Sequence, residues 1–237
     1  MGTLYIVATP IGNLEDITYR AVKILSTVNV IYAEDTRTSS HLLARYAVTT
    51  PVQAFHTFNE HARTPAIVER LTHEEATAAI ISDAGTPGIA DAAFLLVRAA
   101  LASGVTVVPI PGPCAAITAI IASGLPCDRF VFENFLSNKH VARKRFFASV
   151  ADDPRTTVAY ESPHRIISLI EDLKEVLPDA QVVVGRELTK IHEEFIRGTP
   201  QTILDPFAKK PPRGEIVVLF STRKARVKNE NDPTENL

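Results

Sequence analysis

Directly after an apolar run, Ser82-Asp-Ala-Gly-Thr-Pro-Gly-Ile-Ala-Asp91 places carboxylates, two glycines and a proline between a strand pattern and a helix pattern. Gly85 and Gly88 permit positive φ and close backbone approach, Pro87 stiffens the bend, and Asp83 sets a carboxylate at the strand end. Such a loop suits contact with a ligand. Similar loops recur at Ala8-Thr-Pro-Ile-Gly-Asn-Leu-Glu-Asp16, Ala33-Glu-Asp-Thr-Arg37 and Pro109-Ile-Pro-Gly-Pro-Cys-Ala115. Glu34 and Asp35 could accept a proton, and Arg37 could steady a developing negative charge or a phosphate. Each acid could equally be a helix cap or one half of an ion pair. No P-loop, G-x-G-x-x-G, H-E-x-x-H or G-x-S-x-G motif occurs, which argues against the commonest nucleotide, dinucleotide, zinc-protease and serine-hydrolase chemistries.

These loops need a scaffold that gathers them. The first half alternates short apolar runs with helical periodicity: strands at Thr3–Ala8, Val30–Ala33, Thr77–Ser82 and Val105–Ile110, and helices from an Asp16 cap to about Val28, over Thr36–Tyr46, Asn59–Glu74 and Ala92–Ser103. Repeated βα units predict a largely parallel sheet with helices on both faces, whose following loops share one edge and form a cleft. Gly124-Leu-Pro126 punctuates the chain after a helix from Cys114. A second sheet is expected from Phe130–Glu133, Thr157–Glu161, Gln181–Arg186, Glu193–Arg197 and Glu215–Ser221, with helices at Lys139–Val150 and Pro163–Leu177. The domains expected are 1–112, a connecting helix and linker at 113–126, a second α/β domain at 127–222, and a basic then polar tail at 223–237 that reads as disordered.

Of 237 residues, 46% are hydrophobic and 22% charged, enough to bury a sizeable core. The net charge of −2 excludes a uniformly basic coat, but Lys139, Arg143, Lys144 and Arg145 cluster, as do Arg223, Lys224, Arg226 and Lys228. Either cluster suits phosphate contact or an ordinary solvated face. Phe146 and Phe147 read as the packed side of a helix rather than stacking residues. The two cysteines, Cys114 and Cys127, form no metal knuckle or disulfide framework, and no run is long enough to span a membrane. A cytoplasmic protein is expected.

Taken in order, Thr9-Pro-Ile-Gly-Asn-Leu, Ala33-Glu-Asp-Thr-Arg, Ser82-Asp-Ala-Gly-Thr-Pro-Gly, Pro111-Gly-Pro, Tyr160-Glu-Ser-Pro-His-Arg165 and Arg186-Glu-Leu-Thr-Lys-Ile-His-Glu-Glu194 resemble the small-subunit ribosomal RNA methyltransferase I family of the tetrapyrrole-methylase superfamily. The match runs from about residue 2 to residue 221. It departs from the family pattern at Asp91-Ala-Ala93 (Asp-Pro-Gly), Cys114 (Ser) and Asn134-Phe-Leu-Ser137 (Gly-Phe-Leu-Pro). The resemblance implies an α/β tetrapyrrole-methylase fold of two domains with S-adenosylmethionine (AdoMet) in the cleft between them. It also implies a homodimer, and methyl transfer to a cytidine ribose 2′-oxygen of 16S rRNA near the decoding centre, in free RNA or the assembled 30S subunit.

Carried over position by position, the resemblance assigns the cofactor pocket to Pro10, Asp83, Ala84, Gly85, Gly88, Ile89, Cys114 and Ala115, with Tyr160 and Leu188 from the second domain. The catalytic candidates are Glu34, Asp35, Arg37, Glu161, Arg186 and Lys190, the base being one of the acids or a neutralised Lys190. RNA contact falls to Lys139, Arg143, Lys144, Arg145, His164 and Arg165. No metal is required. The competing readings are a small-molecule, tetrapyrrole-type methyltransferase and a catalytically silent ribosome-assembly factor on the same scaffold.

Overall fold

The structure is a computed structural model that describes residues 2–74 and 76–223. The basic residues Lys224, Arg226 and Lys228 and the polar stretch from Asn229 therefore lie outside the described residues. The chain divides into two compact units. The first runs to Thr118 and takes in Glu187–Glu193; the second runs from Ala119 to Arg186 and resumes at Glu194.

In the first unit the order is β1 (Thr3–Val7), α1 (Tyr19–Thr27), β2 (Val30–Ala33), α2 (Thr36–Arg45), β3 (Val52–Ala54), α3 (Glu60–His73), β4 (Thr77–Ile81), α4 (Phe94–Ala102), β5 (Thr106–Ile110) and the start of α5 (Ala115–Ser123). The sheet has the order β3-β2-β4-β1-β5 and every pair is parallel. Two-residue periodicity divides the strands between two cores. Ala79 and Ile81 join Val7 and Ile31 beneath α1 and α2, whereas Ala78 and Ile80 join Leu4 and Val30 beneath α3 and α4.

Two details depart from the sequence expectation. Helix α1 is capped by Thr18, whose hydroxyl accepts the Ala21 N–H at 3.1 Å. Asp16 instead ends a 3₁₀ turn, Leu14–Asp16, and the extended backbone of Ile17 separates that turn from the helix. Strand β3 goes unread because three half-buried residues at a sheet edge give too short an alternation to register.

The second unit has a five-stranded sheet of order β6-β7-β10-β8-β9, built from β6 (Phe130–Phe135), β7 (Thr156–Glu161), β8 (Gln181–Arg186), β9 (Glu194–Gly198) and β10 (Ile216–Ser221). Only β6 and β7 pair in parallel. Its core packs Phe147 of α6 (His140–Ser149), Leu169 and Leu173 of α7 (Ile166–Val176) and Ile203 and Phe207 of α8 (Pro200–Lys209) against Val182, Val184, Val218 and Phe220. Helix α8 was unexpected. Pro206 inside it and Pro211 after it resemble a loop, yet Thr199 and Thr202 cap its first turn reciprocally and Pro200 occupies the first turn, where a missing N–H costs nothing. Phe147 is fully buried and Phe146 packs on the same core, so this pair serves packing as expected. Asn134 has φ +54° at the irregularity in β6, a left-handed position that asparagine tolerates better than other residues with side chains. No described helix is long and apolar enough to cross a membrane.

Arg143 contradicts its expected role. Its side chain is 2% exposed, and its guanidinium donates to Asp172 Oδ2 (Nε, 2.7 Å), to Ser168 Oγ (2.6 Å) and to the Ser137 carbonyl (3.3 Å). A buried, fully engaged guanidinium has no face for phosphate. Burial pushes the Asp172 carboxyl up, but hydrogen bonds and charge from His140 and Arg143 outweigh it and hold the group below the ordinary aspartate range. Replacing one member of such a pair strands the other charge. Asp172→Ala should lower the unfolding free energy by about 3–5 kcal/mol in urea titrations of the full chain. The double change Arg143→Met, Asp172→Leu should lose much less.

Candidate active site at the carboxyl edge of the first sheet

Strands β1 and β4 are neighbours, but their connections leave in opposite directions: β1 leads to β2 on one side, and β4 leads to β5 on the other. Open parallel sheets bind ligands outside the strand ends at such a switch. Here the two loops are tied together. Thr9 and Gly85 exchange backbone hydrogen bonds of 2.8 and 3.1 Å, the Thr9 hydroxyl donates to the Ser82 carbonyl at 3.1 Å, and the Ser82 hydroxyl donates to the Gly85 carbonyl at 3.2 Å. Gly85 does this with φ +87°, and an added Cβ would press the Ile11 side chain at 3.3 Å. The β5 loop joins through Thr86, whose hydroxyl donates to the Pro113 carbonyl at 3.0 Å. A Cβ on Gly112 would sit 2.9 Å from that of Ala8, so glycine sets the closeness of the β1 and β5 ends.

The cofactor candidates of this unit therefore fall together. Pro10 and Gly85 are buried in the loop wall, Asp83, Ala84, Gly88 and Ile89 are exposed along it, and Cys114 and Ala115 are half-buried where α5 begins. The Cys114 carbonyl accepts the Thr118 N–H at 2.9 Å, which fits a turn residue at a helix start.

Carboxylates crowd the adjoining strand ends. Asp83 accepts the Asp35 N–H at 2.9 Å, linking the β4 and β2 loops, and Asp91 accepts the Gly88 N–H at 2.5 Å. Glu34 is raised above the ordinary glutamate range, by burial first and then by the charges of Asp83 and Asp91, with His56 acting the other way. Asp91 is raised as well, chiefly by burial. Asp35 goes the opposite way. Hydrogen bonds from the Arg37 side chain (3.2 and 2.7 Å) and backbone bring it to about 2, and its side chain caps α2. Adjacent acids thus differ: Asp35 is committed to a cap and ion pair, whereas Glu34 is poised nearer neutrality. The Arg37 side chain is 89% exposed beyond that pair.

The segment Glu187–Glu193 belongs with this unit, not with the second domain as the sequence suggested for Leu188. The Asn13 N–H donates to Thr189 Oγ1 at 3.0 Å, and Gly12 approaches so closely that a Cβ would meet Lys190 Cγ at 2.5 Å. Glu187 and Thr189 hold φ of +51° and +65°, strained for residues with side chains and for a β-branched one above all. Lys190 Nζ donates to Glu187 Oε1 at 2.9 Å, an ion pair that speaks against a neutral amine base. Gly12–Glu15, Arg45, Glu187 and Thr189–His192 line a groove of about 650 Å³. Sequence reasoning also missed His56 and Phe58, which follow the unread β3; the polar break Pro51 and the apolar Val52, Ala54 and Phe55 were the available signal. Among the described residues no histidine, cysteine or carboxylate group could hold a metal ion.

The remaining candidates lie in the second unit. Tyr160 packs edge-on against Phe132 at 4.9 Å and Phe135 at 5.8 Å. The Glu161 side chain is buried, accepts the Ser162 N–H at 2.7 Å and pairs with Arg165 at 2.8 Å, a structural pairing in place of the catalytic role expected of Glu161. Arg186 pairs with Glu194 at 3.0 Å. Lys144 Nζ pairs with Glu175 at 2.5 Å, while Lys139, Arg145 and His164 are exposed.

Comparison with known proteins agrees with this architecture. The family model of the tetrapyrrole (corrin/porphyrin) methylases matches residues 3–204. Proteins named ribosomal RNA small subunit methyltransferase I are 46% identical in Synechocystis over 93% of this chain and 79% of that protein, and 42% identical in Thermotoga maritima over 93% and 99%. Among solved structures, cobalt precorrin-4 methyltransferase, a cobalamin biosynthetic enzyme, superposes with a TM-score of 0.67 at 17% identity over 92% of this chain and 94% of that one. Diphthine synthase gives 0.72 at 13% identity, over 93% and 90%. These likenesses establish the shared fold. Matched by the family model over most of its length and by such relatives at this identity, the chain belongs to the tetrapyrrole methylases and, within them, to the ribosomal RNA small subunit methyltransferase I group.

Proposed function

We propose that the chain transfers a methyl group from AdoMet to the ribose 2′-oxygen of a cytidine in small-subunit ribosomal RNA, near the decoding centre. The names of its relatives support methylation of that RNA. Oxygen as the acceptor is supported by one observation above others: a glutamate of raised proton affinity stands at the strand end beside the laced glycine loops. The same reading has the enzyme acting in the cytoplasm, as a homodimer, on free RNA or on the 30S subunit.

The loops fit the cofactor. Gly85 and Gly112 leave the wall free of side chains, Ala84 and Gly88 are exposed along it, and Asp83 supplies a carboxylate. When bound, AdoMet supplies an electrophilic methyl on a sulfonium, so the protein's task is alignment and exclusion of water. Pro10, Ile89, Cys114 and Ala115 shape that pocket. A ribose hydroxyl is a weak nucleophile at neutral pH, and a base works best when its pKa lies near the working pH. Burial and the charges of Asp83 and Asp91 move Glu34 in that direction, so Glu34 takes the proton as the oxygen attacks. The exposed Arg37 guanidinium holds a flanking phosphate, and Asp35 fixes its orientation.

Incubation with labelled AdoMet and undermethylated small subunits, followed by mapping, should place the label on a ribose oxygen. Label on a base would reject the assignment, and absence of both label and AdoMet binding would leave a silent assembly factor. Glu34→Gln should lower kcat about 10²- to 10⁴-fold with AdoMet binding nearly unchanged. A raised carboxyl pKa costs stability as pH climbs from the ordinary glutamate value through the folded one. The same substitution should therefore raise the thermal midpoint at neutral pH, and the gain should vanish at pH values below the ordinary glutamate range.

A further inference from the structure

We infer that the turn after β3 is a second element of the RNA site, with Phe58 serving as a stacking platform for an unpaired base beside the methylated nucleotide; the inference rests on the RNA-methylating reading above. The Phe58 ring is 96% exposed, so it contributes nothing to either core of its unit. Its chain neighbours Thr57, Asn59 and Glu60 are polar. A single outward ring flanked in the chain by polar residues is less than the contiguous apolar patch of a protein-docking face. It does match the way unpaired RNA bases are held, by the faces of projecting aromatic side chains.

The turn that carries the ring is held by its own hydrogen bonds. Asn59 Oδ1 accepts the His56 N–H at 2.9 Å, which orients the amide so that its nitrogen donates to His56 Nε2 at 3.1 Å. The imidazole, thus fixed in rotation, meets the Phe58 ring edge-to-face at 6.0 Å. The Asn59 N–H and the Glu60 N–H both return to the His56 carbonyl at 2.9 Å, closing the turn into α3. A turn already ordered leaves only the exposed ring to be immobilised on binding.

Location gives the platform its use. Ala54 of β3 pairs in register with Ala33 of β2, and the Phe55 N–H donates to the Ala33 carbonyl at 2.7 Å. The residue that follows β2 is Glu34, so the turn and the proposed base leave adjacent strands at the same edge, and His56 is near enough to Glu34 to act on its charge. A strand of RNA whose ribose reaches Glu34 passes the β3 turn with a neighbouring base.

The test measures wild-type methylation of small subunits first, then the KM for that substrate in Phe58→Ala, Phe58→Leu and Phe58→Tyr, with AdoMet binding and light scattering on each. Base–aromatic stacking is worth roughly a 5- to 100-fold change in affinity. Ala and Leu should raise the KM about tenfold or more while kcat and AdoMet binding hold, and Tyr should restore it. Single-stranded RNA carrying 5-iodouridine should photo-cross-link to the Phe58 peptide. A wild-type KM in Phe58→Ala overturns the inference, as does one in Phe58→Leu, which would mean apolar contact without stacking. A changed oligomeric state with unchanged KM would make the ring a protein contact and overturn it too. If the wild type methylates no RNA, the functional reading fails by itself, and absence of the cross-link then removes the platform separately.

Discussion

Parallel pairing brings every carboxyl end of the first sheet to one edge, but it does not hold the loops there. That is done by a pair of backbone hydrogen bonds between Thr9 and Gly85, made where the strand order reverses. The bonds require Gly85 at φ +87°, and the Thr9 and Ser82 hydroxyls saturate the neighbouring carbonyls. A loop whose polar groups are satisfied internally can present its outer backbone to a ligand without collapsing into other hydrogen bonds. The exposure of Asp83, Ala84, Gly88 and Ile89, the seating of Pro113 and the reach of Asp83 toward Asp35 all go with that lacing.

The same edge explains how one residue type does two jobs. Glu34 and Asp35 are consecutive, yet their carboxyls are displaced in opposite directions because Asp35 meets the Arg37 fork and a helix N-terminus, while Glu34 meets burial and two like charges. Sequence alone leaves them as alternatives. Tertiary placement separates them, since Asp35 is spent on capping α2 while burial dominates at Glu34.

Much of the scaffold was legible because its signals are local. β1, β2, β4 and β5 are apolar runs set off by polar residues or by glycine and proline, and the loops that follow them carry the polar residues of the site. What escaped was set by tertiary context. β3 is three residues long and exists by pairing with β2; α8 contains a proline that its capping box overrides; Arg143 sits in a basic cluster but is drawn inward by Asp172, twenty-nine positions away in the chain. The 187–193 segment was misplaced for the same reason, because its partners are Gly12 and Asn13. The residues that follow β3, His56 and Phe58, were lost with the strand.

Backbone strain is where these threads meet. Left-handed φ values at Glu187 and Thr189 persist only if the surroundings over-determine them, and here Asn13, Gly12 and the Glu193 carboxylate, which accepts the Thr189 N–H at 2.6 Å, do so. Asn134 shows the milder solution, a side chain that tolerates the same region better than most. At Glu187 and Thr189 the strain is held beside a groove and against the β1 loop, so its cost in stability falls where the backbone path shapes a surface.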